Sequence, residues 1–189
     1  MGFTRAELQR FRDAAVPDLL GEGIRLLFVG INPGLWTAAT QTHFAYPGNR
    51  FYPALRDAGI IDALPDFARG MTEADRAAFL ARGLGISNLV NRATARADEL
   101  SRDELRTGAT RLADTVRRWR PPVVAIVGIT AYRQGFDRPQ AAPGEQPERL
   151  EGARLWVVPN PSGLNAHDTV ATLATAYAEP ARAAGLLSS

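Results

Sequence analysis

The sequence predicts an α/β protein in which helices cover both faces of a small, mostly parallel sheet of four or five strands. Four short apolar runs alternate with segments of helical periodicity along the 189 residues. Such alternation requires parallel strands joined by right-handed crossovers. The length and the 46% hydrophobic content suit one domain with a substantial core. We therefore expect a single three-layer α/β/α sandwich over residues 1–189.

The four apolar runs have the character of strands that are buried on both faces. Each is short, contains β-branched residues and is bounded by glycine, proline or asparagine. The predicted strands are residues 24–31, 84–90, 123–128 and 153–159. The third of them, "VVAIVG", is the clearest core strand because it contains no polar side chain.

The predicted helices begin where short polar side chains can cap them. Thr4 with Glu7, and Ser101 with Glu104, have the spacing of a capping box, in which each side chain bonds the other residue's backbone. The first pair opens a short peripheral helix at the N-terminus, and the second opens a helix that reaches about Arg118. Further helices are predicted over residues 49–59, 72–82, 130–136 and 169–184.

Proline and glycine mark the segments predicted to lack regular structure. Residues 30–51, "GINPGLWTAATQTHFAYPGNRF", contain three glycines and two prolines and are predicted to form a long loop after the first strand. Residues 138–146 are rich in proline, glycine and glutamine and are predicted to form a surface loop. Pro180 is expected to interrupt the last helix.

The composition excludes several kinds of chemistry. There is no cysteine, so disulfides, zinc–thiolate sites and iron–sulfur clusters are ruled out. Two histidines, His43 and His167, are too few for an imidazole-rich metal centre. All 22 basic residues are arginine, so no side-chain amine can form a Schiff base. We expect neither a metal nor a cofactor.

Charge and hydropathy set the expected environment. The net charge is only +2, which by itself argues weakly for a nucleic-acid partner. No apolar run approaches the roughly 18 residues that a membrane span needs, and residues 1–20 are charged throughout rather than signal-like. We therefore expect a soluble cytoplasmic protein with no membrane partner, and a monomer.

Asparagine dominates the predicted ends of the strands. The first strand ends in "FVGINPG" and the fourth in "VVPNPSG"; an Asn-Pro pair also opens many ordinary turns, so either copy alone is explained by loop geometry. In parallel sheets, however, ligands bind at the carboxyl ends of the strands. Asn32, Asn88, Asn91 and Asn160 thus bring neutral donors and acceptors to that edge, which suits a nucleobase. An amide at Asn32 could position water but could not deprotonate it as a carboxylate does.

The 22-residue stretch 30–51, together with "NPSGL", resembles the two signature motifs of the mismatch-specific uracil-DNA glycosylase and thymine-DNA glycosylase family. The resemblance extends from about Arg25 to Ala178 and includes "GISNLVNR" and the helix and strand that follow it. It implies the uracil-DNA glycosylase fold. It also implies a partner, double-stranded DNA containing uracil or a mismatch, and an activity, hydrolysis of the N-glycosidic bond of an extruded base to leave an abasic site.

The resemblance assigns roles around the extruded base. Asn32 falls on the catalytic asparagine that holds the attacking water, and Phe44 on the aromatic that stacks on the base. The backbone of Gly30 and Ile31 is implied to line the pocket. Asn88 is implied to contact the base, and Gly34 to permit close approach.

A second set of roles concerns the DNA duplex. Leu164 falls on the wedge that fills the gap left by the base, and Gly163 on the segment that faces the partner guanine. Asn160, Ser162 and Asn165 are implied to shape this loop and its contact with the partner strand. Read without the motif, Leu164 is more simply a core leucine.

Phe44 also has a competing interpretation, because phenylalanines usually lie in the core. Its polar neighbours, Thr42, His43 and Tyr46, argue against deep burial. We expect His43 and His167 to face solvent or phosphate.

Some positions depart from the family pattern and leave the range of bases open. Bacterial relatives can carry lysine where this chain has Asn88, and asparagine there resembles the thymine-acting branch. An acidic residue is usual at Asn91, and some relatives have arginine at Ala166. Thymine, ethenocytosine and hypoxanthine thus stay possible substrates beside uracil.

Two other functions are compatible with the same strand ends. One is a hydrolase of nucleosides or other small molecules. The other is a mismatch-binding module without catalysis, in which Arg50, Arg92, Arg96 and Arg133 would contact phosphates. If the protein is a glycosylase, the absence of lysine predicts one without lyase activity.

Overall fold

A five-stranded sheet forms the centre of the protein in a computed structural model that describes residues 2–188. The strands are β1 (Leu26–Gly30), β2 (Leu84–Asn88), β3 (Val123–Val127), β4 (Gly144–Leu150) and β5 (Ala153–Val158). Their order in the sheet is β2-β1-β3-β5-β4. All neighbouring pairs are parallel except β4 with β5. The predicted sheet of four or five mostly parallel strands is confirmed.

Seven α-helices surround the sheet within the described part of the chain. They are α1 (Arg5–Gln9), α2 (Leu35–Thr40), α3 (Phe51–Asp57), α4 (Glu73–Ala81), α5 (Arg102–Trp119), α6 (Ile129–Gly135) and α7 (Val170–Ala183). The two capping boxes predicted from the sequence, at the starts of α1 and α5, are present, and Thr72 with Asp75 forms a third at the start of α4. None of these seven helices is long and apolar enough to cross a bilayer.

Alternate side chains of β1 supply two separate cores. Leu26 and Phe28 belong to a cluster on one face that includes Tyr52 of α3 and Phe79 of α4, together with residues of α7. Leu27 and Val29 point to the opposite face, where they join residues of α5 and α6, among them Leu112. Because successive strand residues face opposite sides, these two clusters produce the three-layer α/β/α arrangement.

Three local predictions were wrong. Helix α2 lies inside the predicted loop 30–51, where Leu35, Trp36 and Ala38 are buried. Strand β4 overlaps the predicted loop 138–146; it is an edge strand with mostly exposed side chains, so it has no apolar signal. Helix α7 continues through Pro180, which is buried on the core side of the helix. Pro180 is packed in the core, whereas Pro147 of β4 lies on an edge strand, where a proline is tolerated.

The segment before β1 is bound to the loops that follow β1 and β2. The backbone N–H of Asp13 donates to the Ala93 carbonyl at 2.8 Å. The Val16 N–H donates to Asn91 Oδ1 at 2.8 Å, and Leu19 bridges to β2. The N-terminal segment therefore supports the edge of the sheet where the strands end.

Candidate active site

The loops after β1 and β2 run side by side beyond the sheet. The Leu89 N–H donates to the Gly30 carbonyl at 2.9 Å, and the Thr94 N–H donates to the Pro33 carbonyl at 3.2 Å. Strand pairing thus continues past the last ladder residues. This continuation places the predicted catalytic residue, Asn32, beside residues 92–94.

Hydrogen bonds from the side-chain nitrogen fix the position of the Asn32 amide. Nδ2 donates to the carbonyl of Arg92 at 2.8 Å, to Thr94 Oγ1 at 2.7 Å and to the adjacent Pro33 carbonyl at 3.2 Å. Thr94 Oγ1 can only accept there, because its own proton goes to the Arg96 carbonyl at 2.7 Å. Among residues 2–188, no donor bonds Asn32 Oδ1, so the half-buried side chain presents one fixed acceptor that can hold a water proton.

Gly30, Asn88 and Phe44 meet at the ends of β1 and β2. Gly30 and Asn88 are partners in the ladder. A Cβ atom on Gly30 would lie 2.5 Å from Asn88 Oδ1 and 3.0 Å from Phe44 Cζ. Only glycine leaves room for an acceptor oxygen and an aromatic edge at this point. The two side chains predicted to bind the base are therefore brought together.

His43 fixes the orientation of the Asn88 amide. The His43 Nε2 atom lies 2.9 Å from the Pro17 carbonyl, and Nδ1 lies 3.1 Å from Asn88 Nδ2. A carbonyl can only accept, so Nε2 carries the proton and Nδ1 accepts from the amide nitrogen. Asn88 Oδ1 is then turned toward Gly30. The prediction that His43 faces solvent or phosphate was wrong, since it is only 4% exposed; His167 is exposed.

Burial lowers the pKa of His43 below its ordinary value of 6.5. The unfolded chain therefore takes up a proton near pH 6.5, whereas the folded protein does so only at lower pH. The free energy of unfolding should fall as pH decreases from about 6.5 toward the lower folded-state pKa, and His43 should add no pH dependence above that window.

We expect His43→Phe to flatten the loss of thermal stability between about pH 6.5 and about pH 5. The measurement is the Tm of the wild type and the variant across this range and up to about pH 8. The matched control substitution is His167→Phe, which replaces the exposed histidine. Equal slopes for wild type and His43→Phe would contradict a buried neutral imidazole.

Phe44 lies at the boundary between the core and the strand ends. Its ring stacks on Phe51 with centroids 4.1 Å apart and planes inclined by 24°, yet the residue is only half-buried. Its φ of 58° is in the left-handed region that bulky residues avoid. As predicted, Phe44 is not deeply buried, but two of the polar neighbours on which that prediction rested, Thr42 and His43, are themselves buried. Phe44 thus combines a core contact with an accessible part of its ring.

Leu164 is 90% exposed, so its interpretation as a core leucine is wrong. It lies on a loop, residues 160–168, that we call the Leu164 loop. Asn160 Oδ1 accepts from the Ser162 N–H at 2.9 Å, and Asn165 Nδ2 donates to the Asn160 carbonyl at 2.9 Å and to Asp168 Oδ2 at 2.7 Å. A large apolar side chain is therefore displayed to solvent on a loop braced by its own polar residues.

Three predicted site residues remain to be placed: Ile31, Gly163 and Gly34. Ile31 packs against Gly128, where a Cβ atom would lie 3.4 Å from Ile31 Cδ1 and 3.8 Å from Asn160 Nδ2. A Cβ atom on Gly163 would lie 3.3 Å from the Gly48 carbonyl oxygen. Gly34 is the N-cap of α2 with a φ of −77°, and a Cβ atom there would have no neighbour within 4 Å. The protein itself therefore does not need glycine at position 34.

Asn91 and the candidate phosphate-binding arginines have structural partners. The Asn91 side chain accepts from the N-terminal segment. Arg92 bonds Glu104 and Asp13, Arg96 bonds Asp98, and Arg133 bonds the Ala141 carbonyl. These contacts give each side chain a role within the fold. In the described residues, no group of three or more histidine, aspartate or glutamate side chains could hold a metal ion.

The site has the parts that removal of an extruded base from DNA requires. A fixed neutral acceptor at Asn32 can hold water, an aromatic ring and an amide oxygen meet at Gly30 two residues earlier, and an exposed leucine follows the second Asn-Pro turn. Such an arrangement is suited to the class of DNA N-glycosylases.

The sequence profile of the Uracil DNA glycosylase superfamily matches residues 17–180, and the chain belongs to this superfamily. It is accordingly a DNA glycosylase, a hydrolase whose substrate is DNA. Among solved structures, the solution NMR structure of a Methanosarcina acetivorans protein, described as a candidate uracil DNA glycosylase, is similar with a TM-score of 0.54. The two are 16% identical, and the match covers 86% of this chain and 97% of the other. That likeness shows the fold.

Proposed function

We propose that this protein is a mismatch-specific uracil-DNA glycosylase that removes uracil from G·U pairs in duplex DNA and leaves an abasic site. The observation that carries the proposal is the Asn32 amide, whose nitrogen is bonded to three acceptors while its oxygen is left to bind water. A fixed acceptor suits the attack of water on a sugar carbon.

Base selection would follow from the orientation of Asn88. With its nitrogen donating to His43, the amide presents an oxygen to the pocket. Uracil and thymine carry a proton on N3 that this oxygen can accept, whereas cytosine N3 has a lone pair that would face it. Leaving buried polar groups unpaired costs roughly 1–3 kcal/mol, so the arrangement favours uracil and thymine over cytosine.

The chemical step would depend on position and electrostatics. Asn32 Oδ1 would accept a hydrogen bond from water and aim it at the anomeric carbon as the N-glycosidic bond breaks with oxocarbenium character. The bonding pair of electrons would leave with uracil as an anion, and the water oxygen would bond to the anomeric carbon and give up one proton, which neutralises the uracil anion directly or through solvent. Because an amide does not deprotonate the water, the enzyme forgoes some of the roughly 10²- to 10⁴-fold that a general base supplies.

Base extrusion would use the Leu164 loop. Unpairing and unstacking cost a few kcal/mol, and less for a mismatch than for a matched pair. The exposed Leu164 side chain can occupy the vacated place in the stack, as apolar wedges do in other DNA complexes. The weaker G·U pair would thus be selected before the base enters the pocket.

The proposal is tested with duplex oligonucleotides that contain one G·U pair, incubated in the presence of EDTA. Abasic sites are detected as strand breaks after alkali treatment. Thymine, ethenocytosine and hypoxanthine opposite guanine complete the panel and define the range of bases. Absence of product at stoichiometric enzyme would overturn the proposal, and turnover of free nucleosides with no salt dependence would favour the small-molecule alternative.

We predict that the product keeps an intact strand. The sequence contains no lysine, so no side-chain amine can attack the abasic sugar and start β-elimination. Borohydride should trap no covalent enzyme–DNA complex, and strand breaks should appear only after alkali. A trapped complex would contradict this prediction.

We further propose that the protein is cytoplasmic and that it is a monomer. Light scattering with and without duplex DNA measures the number of subunits.

A further inference from the structure

We propose that Arg50 is the positioning residue for the Leu164 loop and joins this loop to the base-binding aromatic. The inference rests on the proposed function, because it concerns how the wedge is held ready for insertion. Arg50 lies at the N-cap of α3, far in sequence from the loop that it contacts. Its side chain is half-buried.

Arg50 donates hydrogen bonds to four backbone carbonyls of the Leu164 loop. The Arg50 backbone N–H donates to the Pro161 carbonyl at 3.0 Å. Nη2 donates to the carbonyls of Ser162 at 2.5 Å and Asn165 at 2.7 Å, and Nη1 donates to the carbonyl of Asp168. These bonds lie on both sides of Leu164. They therefore fix the path of the chain that displays the leucine.

The shape of guanidinium matters more here than its charge. Arg50 forms no ion pair with a carboxylate among residues 2–188, and its Nε is buried without a partner there. A planar fork with several donors can serve three carbonyls at fixed separations, whereas an ammonium on a flexible stem cannot reproduce that geometry. The terminal donors are directed at the protein's own backbone, so a phosphate contact would have to displace existing bonds.

Arg50 also connects two parts of the proposed mechanism. The next residue, Phe51, stacks directly on Phe44. Two residues earlier, the Gly48 carbonyl lies against Gly163. The short segment 48–51 thus contacts the aromatic that would grip the base and the loop that would fill its place.

The experiment compares Arg50→Met and Arg50→Lys with the wild type in single-turnover excision. Uracil is placed opposite guanine in a duplex and, separately, in a single strand that has no stack to fill. We expect Arg50→Met to slow duplex excision by about 10- to 100-fold and single-strand excision by less than about threefold, since three carbonyls lose their donor. Arg149→Met is the matched control, because Arg149 of β4 also donates to a loop carbonyl, that of Gly152, and has no assigned contact with DNA.

Coupling to Leu164 separates positioning from a general effect on folding. Leu164→Ala should remove most of the benefit that Arg50 provides, so the double variant should be no more than about twofold slower than Leu164→Ala alone. The inference would be overturned if the rate reductions of the two single variants multiplied in the double variant. It would also be overturned if Arg50→Met lost the same factor on the duplex and on the single strand. Arg50→Lys, which keeps the charge, should resemble Arg50→Met on the duplex; full rescue by lysine would also overturn it.

Hydrogen exchange tests the inference independently of activity. In Arg50→Met, the amides of residues 162–168 should exchange at least about tenfold faster, while those of β3 stay protected. Unchanged exchange in the loop would overturn the positioning role even if uracil excision is found. An inactive wild type would instead refute the proposed function, and the exchange result would still decide whether Arg50 orders the loop.

Discussion

Asn32→Ala is expected to reduce the single-turnover rate of uracil excision from a G·U duplex by on the order of 10³-fold or more. The alanine removes the acceptor that would hold the attacking water. Binding to the mismatched duplex should stay within about threefold of wild type, because Phe44, Asn88 and Leu164 are unchanged. Rates are measured with enzyme in excess, and binding by titration of a labelled duplex.

Thr94→Val is expected to cause a smaller loss of the excision rate than Asn32→Ala. Valine keeps the shape of threonine but removes the hydroxyl that accepts from Asn32 Nδ2 at 2.7 Å. Two acceptors of the amide are left, so we expect a loss of about tenfold, equivalent to about 1.4 kcal/mol. If Asn32→Ala weakens binding as strongly as it slows excision, the side chain has a structural role and not a catalytic one.

Gly30→Ala is expected to disrupt base binding. The added methyl carbon would lie 2.5 Å from Asn88 Oδ1 and 3.0 Å from the Phe44 ring, so the two base-binding groups must separate. We expect excision to fall by about 10²-fold or more. We also expect a loss of roughly 1–3 kcal/mol in the free energy of unfolding, as for other overpacked sites. Chemical denaturation and single-turnover kinetics measure the two effects.

Gly34→Ala is the matched control for stability within the same motif. A Cβ atom at position 34 meets no protein atom within 4 Å, and the backbone has an ordinary negative φ. The free energy of unfolding should therefore change by no more than about 1 kcal/mol. A loss of excision in a stable Gly34→Ala protein would indicate that DNA itself approaches this glycine. Normal excision by Gly30→Ala would contradict a base-binding role for the close approach of Asn88 and Phe44 at Gly30.

Strands and cores were predictable because they depend on local patterns. The apolar runs around Phe28 and Ile126 are buried on both faces, and that environment leaves a signature in any short window of sequence. Strand β4 escaped prediction because only Gln146 in it is buried. Helix α2 escaped because glycine and proline precede it, and its buried residues gain their stability from tertiary packing.

The candidate site was predictable only in part. Motif resemblance indicated Asn32, Phe44 and Leu164, but the partners that orient side chains lie far away in the sequence. His43 bonds a carbonyl 26 residues earlier and an amide 45 residues later. Arg50 bonds carbonyls more than 110 residues away. No local spacing reports contacts of this kind, so only the three-dimensional structure reveals which residues hold the reactive ones.

The segment before β1 influences the proposed base-binding site through a backbone carbonyl, although it contributes no side chain to that site. The Pro17 carbonyl determines which nitrogen of His43 carries the proton, and hence which atom of Asn88 is offered to a base. A shortened protein that begins after about residue 20 would keep every group assigned to DNA. Its imidazole would be free to exchange tautomers, so we expect poorer discrimination between pyrimidines in addition to the stability lost with the buried Val16 and Leu19.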